Sequence, residues 1–257
     1  MAILVLPIPG LPRIRPGDDL ARLLASAIAE SRVGTKTGDV LLVCQKVVSK
    51  AEGRVVDLAG VEPSPFARAY AERHSKDARV VELVLRESNR IVRMDGGHLI
   101  VETGPGWVCA NAGIDESNAV RDGQVTLLPV DADASAERLR AALRSHLGVD
   151  LGVVVTDTFG RPWREGQVEV ALGVAGIEPL LDLRGTRDLN GHELRVTVIG
   201  VADELAGAAG LVMGKSDGVA AVIVRGWQAP APPANADPAR PRGGRALIRR
   251  RETDLFR

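Results

Sequence analysis

The chain has 257 residues, 45% of them hydrophobic, which is enough to bury a sizeable core in one large domain or two small ones. Lysine plus arginine and aspartate plus glutamate balance at 33 each, so no net field recruits nucleic acid or an acidic membrane. Aromatic residues make up only 3%, which leaves little for base-stacking platforms, and two cysteines, Cys44 and Cys109, give no disulfide framework and read as buried thiols in a reducing compartment.

Taken in chain order, Met1–Leu6 has no basic flank and soon meets prolines, so no signal peptide is expected. No apolar run reaches the ~20 residues of a membrane span, and the expectation is a soluble cytoplasmic protein. Asp18 and Asp19 precede Leu20, Leu23, Leu24, Ala27 and Ile28, whose spacing predicts a helix ending before Gly34. Val40–Cys44 reads as a buried strand, Pro65–His74 as a helix and Val80–Leu85 as a strand. His98–Glu102 and Val125–Leu128 are shorter strand candidates. Asp133 is placed to cap a helix carrying Leu139, Leu143 and Leu147, with Gly148 as its stop. Leu151–Thr156 follows as a strand, then Glu193–Val201 as a strand, Asp203–Met213 as a helix and Val219–Arg225 as a last strand. From Gln228 to Gly244 proline and alanine dominate, as in a linker or loosely held arm. The division expected is a main domain over 1–227 and an arm with a basic tail over 228–257, the tail folding back through Leu255-Phe256. Nucleic-acid binding by Arg249–Arg251 is the less favoured alternative.

Four stretches could carry chemistry. In VVVTDTFGRPWREGQ an apolar strand delivers Asp157 between Thr156 and Thr158, and ligand sites in α/β sheets gather at strand ends. Carboxylate and hydroxyl oxygens suit a hard cation such as Mg²⁺; a helix cap is the alternative, and taken alone the string slightly favours the cap. NAGIDESN brings Asp115, a possible metal ligand, and Asn118, which could reach a phosphate or ribose, or else forms a polar turn. Two carboxylates from separate strand ends match the needs of two-metal phosphoryl transfer. In CQKVVSK, Lys46 and Lys50 share a helical face and with Gln45 and Ser49 would suit a polyphosphate; a solvated lysine face is the plainer alternative. GLVMGKS has three residues between its glycines where a Walker motif has four, and it runs from helix to strand, so no P-loop follows. The four histidines show no metal-ligand spacing.

Together, PGLPRIRPGDDL, QKVVSKAEGR, AGIDESN, LLPVDADASAERLR, VVVTDTFGRPWREGQ, GTRDLNGHELRVT, VADELAGAAGLVMGK and AAVIVRG, in this order, resemble the coenzyme F420-0:γ-glutamyl ligase family in its free-standing form. The resemblance runs from about Leu4 to Gly226 and returns at RRRETDLF. It implies an α+β fold of mixed sheets and helices forming an intertwined homodimer. It implies a GTP-dependent amide ligase that adds L-glutamate to F420-0 and then further γ-linked glutamates. An acyl phosphate would form on the way, with GDP and phosphate released. The same resemblance places Leu11, Pro12, Arg13, Ile14, Gln45, Lys50, Asn118 and the Met213, Gly214, Lys215, Ser216 loop at the nucleotide. It places Asp115 and Asp157 at a metal and Thr158 at a second metal. Two Mg²⁺ or Mn²⁺ ions are implied, with K⁺ a further candidate. Lys215 departs from the acidic or amide side chain expected there, since a protonated lysine cannot ligate Mg²⁺. In the mechanism implied, Asp157, Lys50, Arg161 and Arg164 carry catalysis, the two guanidinium groups holding substrate carboxylates or phosphate, or, for Arg164, pairing with Glu165 or Glu169 at the surface.

Overall fold

Strands that read as unbroken apolar runs need cover on both faces, and the fold supplies it. The computed structural model describes residues 2–116, 122–215, 217–228 and 241–254. In chain order the elements are β1 (Leu4–Pro7), α1 (Leu20–Glu30), β2 (Val40–Cys44), α2 (Gln45–Ala51), β3 (Val55–Asp57), α3 (Pro65–His74), α4 (Ala78–Arg86), β4 (Ser88–Asp95), β5 (His98–Thr103) and β6 (Val108–Ala110). They continue as β7 (Gln124–Thr126), α5 (Ala132–Leu147), β8 (Gly152–Arg161), β9 (Arg164–Ala175), β10 (Leu181–Asp182), β11 (Val198–Ile199), α6 (Val201–Met213) and β12 (Ala221–Arg225).

The main sheet has the order β1-β12-β2-β8-β9. Only β2 and β8 run parallel, in register from Val40↔Gly152 to Cys44↔Thr156. Alternate residues serve opposite faces. Leu41, Val43, Val153 and Val155 pack with Leu24 and Ile28 of α1 and with Leu139 and Leu143 of α5. Val40, Leu42 and Val154 pack with Ala202, Leu205, Ala206 and Ala209 of α6. Three small sheets, β4-β5-β6, β3-β7 and β10-β11, complete a mixed α+β architecture. Around the first two of these, α3 and α4 build separate apolar clusters, one with Tyr70, Val84, Leu99 and Val101, the other with Leu58, Leu83, Val125 and Leu127. No helix among the described residues is long and apolar enough to cross a membrane.

Several expectations need correction. Val80–Leu85 lies in a helix, α4: Asp77 caps it by accepting from Arg79 N at 2.8 Å, and Val81 and Val84 bury one face. The β-branched run suggested a strand, but the cap and the three-residue spacing of the buried valines prevail. Glu193–Val201 is not one strand: Glu193 forms an isolated antiparallel bridge with Arg187, Val198–Ile199 pairs as β11, and α6 begins at Val201. The cap of α5 is Asp131, which accepts from Ala134 N at 3.0 Å. Asp133 instead turns inward, accepting from Val174 N and from Gly244 N. That contact fastens the turn Gly243–Leu247 against β9, where Gly244 has no room for a side chain, a Cβ there lying 2.1 Å from Leu172 O. Leu255 and Phe256 lie outside the described residues.

Candidate functional site

The strand carrying Asp157 does not stop there. β8 continues to Arg161 and returns as β9, an antiparallel hairpin that outruns the rest of the sheet. Its parallel neighbour β2 ends at Cys44 and passes directly into α2. Asp157 is therefore the first residue of β8 beyond its parallel partner, at the C-terminal edge of the parallel pair, where ligands of α/β sheets collect. This corrects the expectation of a strand end: the strand runs on past its parallel partner as a hairpin arm paired on one side, so Asp157 lies outside the sheet interior that disfavours aspartate.

Burial pushes the Asp157 carboxyl up to about 7; the Thr158 N–H opposes this, and Glu169 and Asp115 add to it. Thr156 is fully buried and its hydroxyl has no hydrogen-bond partner among the described residues. Thr158 stands opposite Glu169 in the hairpin and donates to its Oε1 at 2.5 Å. The Glu169 side chain is 9% exposed, and its second oxygen is buried without a hydrogen-bond partner among the described residues. The end of α6 brings Lys215 to this pair: its ammonium donates to Thr158 Oγ1 and lies 3.5 Å from Glu169 Oε1. Met213 is buried in the α6 core, and Gly214 ends the helix at φ +58°.

A second group of charges comes from α2. Lys46 forms an ion pair with Asp115 at 2.5 Å. Asp115 is held by a two-way backbone pairing with Thr126 beside β7. Burial, and then Lys46, lower the pKa of Lys50; Asp115 raises it and Arg13 adds to the lowering. Burial pushes the neighbouring thiols up, Cys44 to about 11 and Cys109 to about 12, with Asp157 contributing to both, so neither is a thiolate near neutral pH.

The expected site residues thus divide. Asp115, Asp157, Thr158, Lys50, Arg13 and Lys215 converge electrostatically. Leu11 and Ile14 pack on the α1 core, Ile14 fully enough to expose little to a ligand; Pro12 and Arg13 are exposed. Gln45 is 1% exposed and accepts from the Ser49 hydroxyl at 2.8 Å, so its amide serves the fold of α2. Arg161 and Arg164 close the hairpin at its tip, about 13 Å beyond Asp157 at the rise of an extended strand. Arg161 donates to Glu165 O at 2.8 Å, and Arg164 is exposed with no ion pair among the described residues. Asn118 and Ser216 lie outside the described residues.

Sequence reasoning missed the importance of Glu169 and under-weighted Lys46. Counting back from a Pro162-Trp163 turn pairs Glu169 with Thr158 only after allowing for the irregularity at Gly160/Arg161. Two cavities, of about 490 Å³ beside Arg54 and Arg245 and about 620 Å³ beside Asp150 and Arg225, contain none of the expected site residues.

The donor chemistry suits a hard cation. Asp157 sits near two more carboxylates, and one oxygen of Glu169 lacks a hydrogen-bond partner among the described residues. Among the described residues no three His, Cys, Asp or Glu side chains are disposed to hold a metal together. Mg²⁺ does not require that, since it commonly takes one or two carboxylates and completes its shell with water and substrate phosphates.

Residues 10–226 match the family model described as F420-0:Gamma-glutamyl ligase. The chain is similar to a protein of Methanopyrus kandleri, 51% identical over 252 residues, covering 98% of this chain and 96% of that one. It is 46% identical over 258 residues to a protein of Methanothermobacter thermautotrophicus, covering both completely, and 47% identical over 227 residues to one of Archaeoglobus fulgidus, covering 88% of each. All three relatives are named coenzyme F420:L-glutamate ligase.

Proposed function

The chain belongs to the F420-0:gamma-glutamyl ligase family, and from that premise we propose that it joins L-glutamate to F420-0 and then adds further glutamates through γ-linkages, using GTP. The observation that carries this reading is the meeting of Asp157, Glu169 and Asp115 with Lys46, Lys50 and Lys215 at the open edge of β2 and β8. A carboxylate cannot be attacked by an amine while its leaving group is hydroxide-like. Transfer of the γ-phosphoryl group from GTP converts it to an acyl phosphate with release of GDP. The glutamate amine then attacks the carbonyl carbon, loses a proton, and phosphate departs with the electrons of the C–O bond.

The barrier to the first step is electrostatic, because an anionic carboxylate must approach a polyanion, and fixed cations in a partly desolvated site reduce it. Lys50, whose charged form is already penalised by burial and by Lys46, gains most when an anion arrives. Arg13, exposed beside it, extends the cationic wall. Asp157 and Asp115 would hold Mg²⁺ or Mn²⁺, which supplies charge neutralisation at the phosphates. Arg164, exposed at the hairpin tip, is free to engage a substrate carboxylate. A homodimer forms part of the same proposal; exposed Leu189, Val196 and Leu211 provide apolar surface for it.

The direct experiment incubates the purified protein with F420-0, GTP, L-glutamate and Mg²⁺ and measures product mass. Addition of one glutamyl residue, or a ladder of them, is expected. Unchanged F420-0 alongside a competent relative assayed in parallel would overturn the reading.

A further inference from the structure

Glu169 is buried on the α6 side of the hairpin, and its stem passes through a gap that exists because residue 210 is glycine. One of its oxygens takes the Thr158 hydroxyl; the other is buried with no hydrogen-bond partner among the described residues. A carboxylate so placed requires a nearby positive charge. The chain provides it: the Lys215 ammonium lies 3.5 Å from Glu169 Oε1 and donates to Thr158, although the lysine side chain as a whole is 68% exposed. Gly214, at positive φ and with no room for a Cβ beside Asp217 Oδ2, makes the turn that aims Lys215 back at the hairpin.

We propose that the Lys215 ammonium is a resident cation that takes the place of one divalent ion on Thr158 and Glu169, so that this chain holds a single divalent ion, on the Asp157 side. The inference rests on the metal-using ligase reading above, but concerns only how many ions the site accepts. An ammonium has no lone pair to offer a metal, and the two cations repel across a short, partly desolvated distance, so one excludes the other. An ammonium on a flexible stem also differs from an ion in that it cannot be lost by dilution or chelation.

The test uses Mn²⁺ alone with the full chain, reading free Mn²⁺ by its electron paramagnetic resonance signal and total binding by calorimetry. One Mn²⁺ per chain is expected for the unaltered protein and for Lys215→Arg, and two for Lys215→Gln. Metal-free Lys215→Gln should also melt at a lower temperature than the unaltered protein and recover with Mn²⁺, because Glu169 would otherwise lack a counter-charge. Two ions or none on the unaltered protein, or an unchanged stoichiometry in Lys215→Gln, would overturn the proposal. Failure of the ligase reading is separate: it would appear as unchanged F420-0 mass in a protein that still binds one Mn²⁺.

Discussion

Gly210 of α6 stands directly against Glu169 of β9: a β-carbon on Gly210 would lie 2.8 Å from Glu169 Cγ. The helix and the hairpin are also tied at the other end, where Asp203 accepts from Ala171 N at 2.9 Å. The glycine therefore sets how closely α6 approaches the strand and so where Lys215 ends.

Gly210→Ala should destabilise the protein by up to about 2 kcal/mol. Overpacking costs roughly 1–3 kcal/mol, and the better helix propensity of alanine returns at most about 1. Urea denaturation of Gly210→Ala, Glu169→Ala and the double variant checks this. The double variant should be more stable than the sum of the two single effects predicts; strict additivity would mean the two side chains do not compete for space.

Asp157 should make the metal-free protein less stable as pH rises. Its carboxyl moves from an ordinary value of 3.8 to about 7 on folding, so the folded state binds the proton more tightly. The resulting stabilisation is complete below about pH 4 and is lost as pH rises through 7, with a ceiling of about 4 kcal/mol. Asp157→Asn should remove that slope and raise stability at pH 8, while abolishing glutamate addition. Thermal melts from pH 5 to 8 provide the measurement, and a variant retaining the slope would place its origin elsewhere.

Divalent-ion affinity should weaken below pH 7, because an ion bound at Asp157 must displace its proton. Calorimetric titration with Mn²⁺ should show roughly a tenfold loss per pH unit below 7 and proton release on binding. A pH-independent affinity would exclude Asp157 as a ligand.

Lys46→Gln should raise the pKa of Lys50, since Lys46 is the largest contributor after burial to its lowering. Reductive ¹³C-methylation and NMR titration of the lysines would follow it. An unmoved Lys50 resonance would leave burial and Arg13 as the causes.

Arg164→Ala should change stability by less than about 0.5 kcal/mol, because the side chain is exposed and makes no ion pair among the described residues. Its KM for an anionic substrate should nevertheless rise. Unchanged KM and kcat would return Arg164 to a surface role at the hairpin tip.

Legibility in the sequence followed the range of the interactions. Pro65–His74 was readable to the residue, since Ser64, which caps it, and Pro65 at its first position act within one turn. Val40–Cys44 was equally plain, because a strand covered on both faces is apolar at every position. Val80–Leu85 was misread because β-branched composition and helical spacing conflict over so short a stretch. The acids Asp115 and Asp157 stood out because each breaks an apolar segment, whereas Glu169 lies among polar and apolar residues of a strand and carries no local mark.

By itself, then, the sequence determined the family, through an ordered set of motifs, and the apolar strands that frame the candidate site, through local pattern; it offered two aspartates and several lysines as candidates for that site. Tertiary structure alone decided which charges meet. Lys46 with Asp115, Lys215 with Thr158 and Glu169, and the space left by Gly210 join residues far apart in the chain, through hairpin register and helix placement. Coulomb and hydrogen-bond energies depend on separations of a few ångströms, and packing of the whole chain sets those separations.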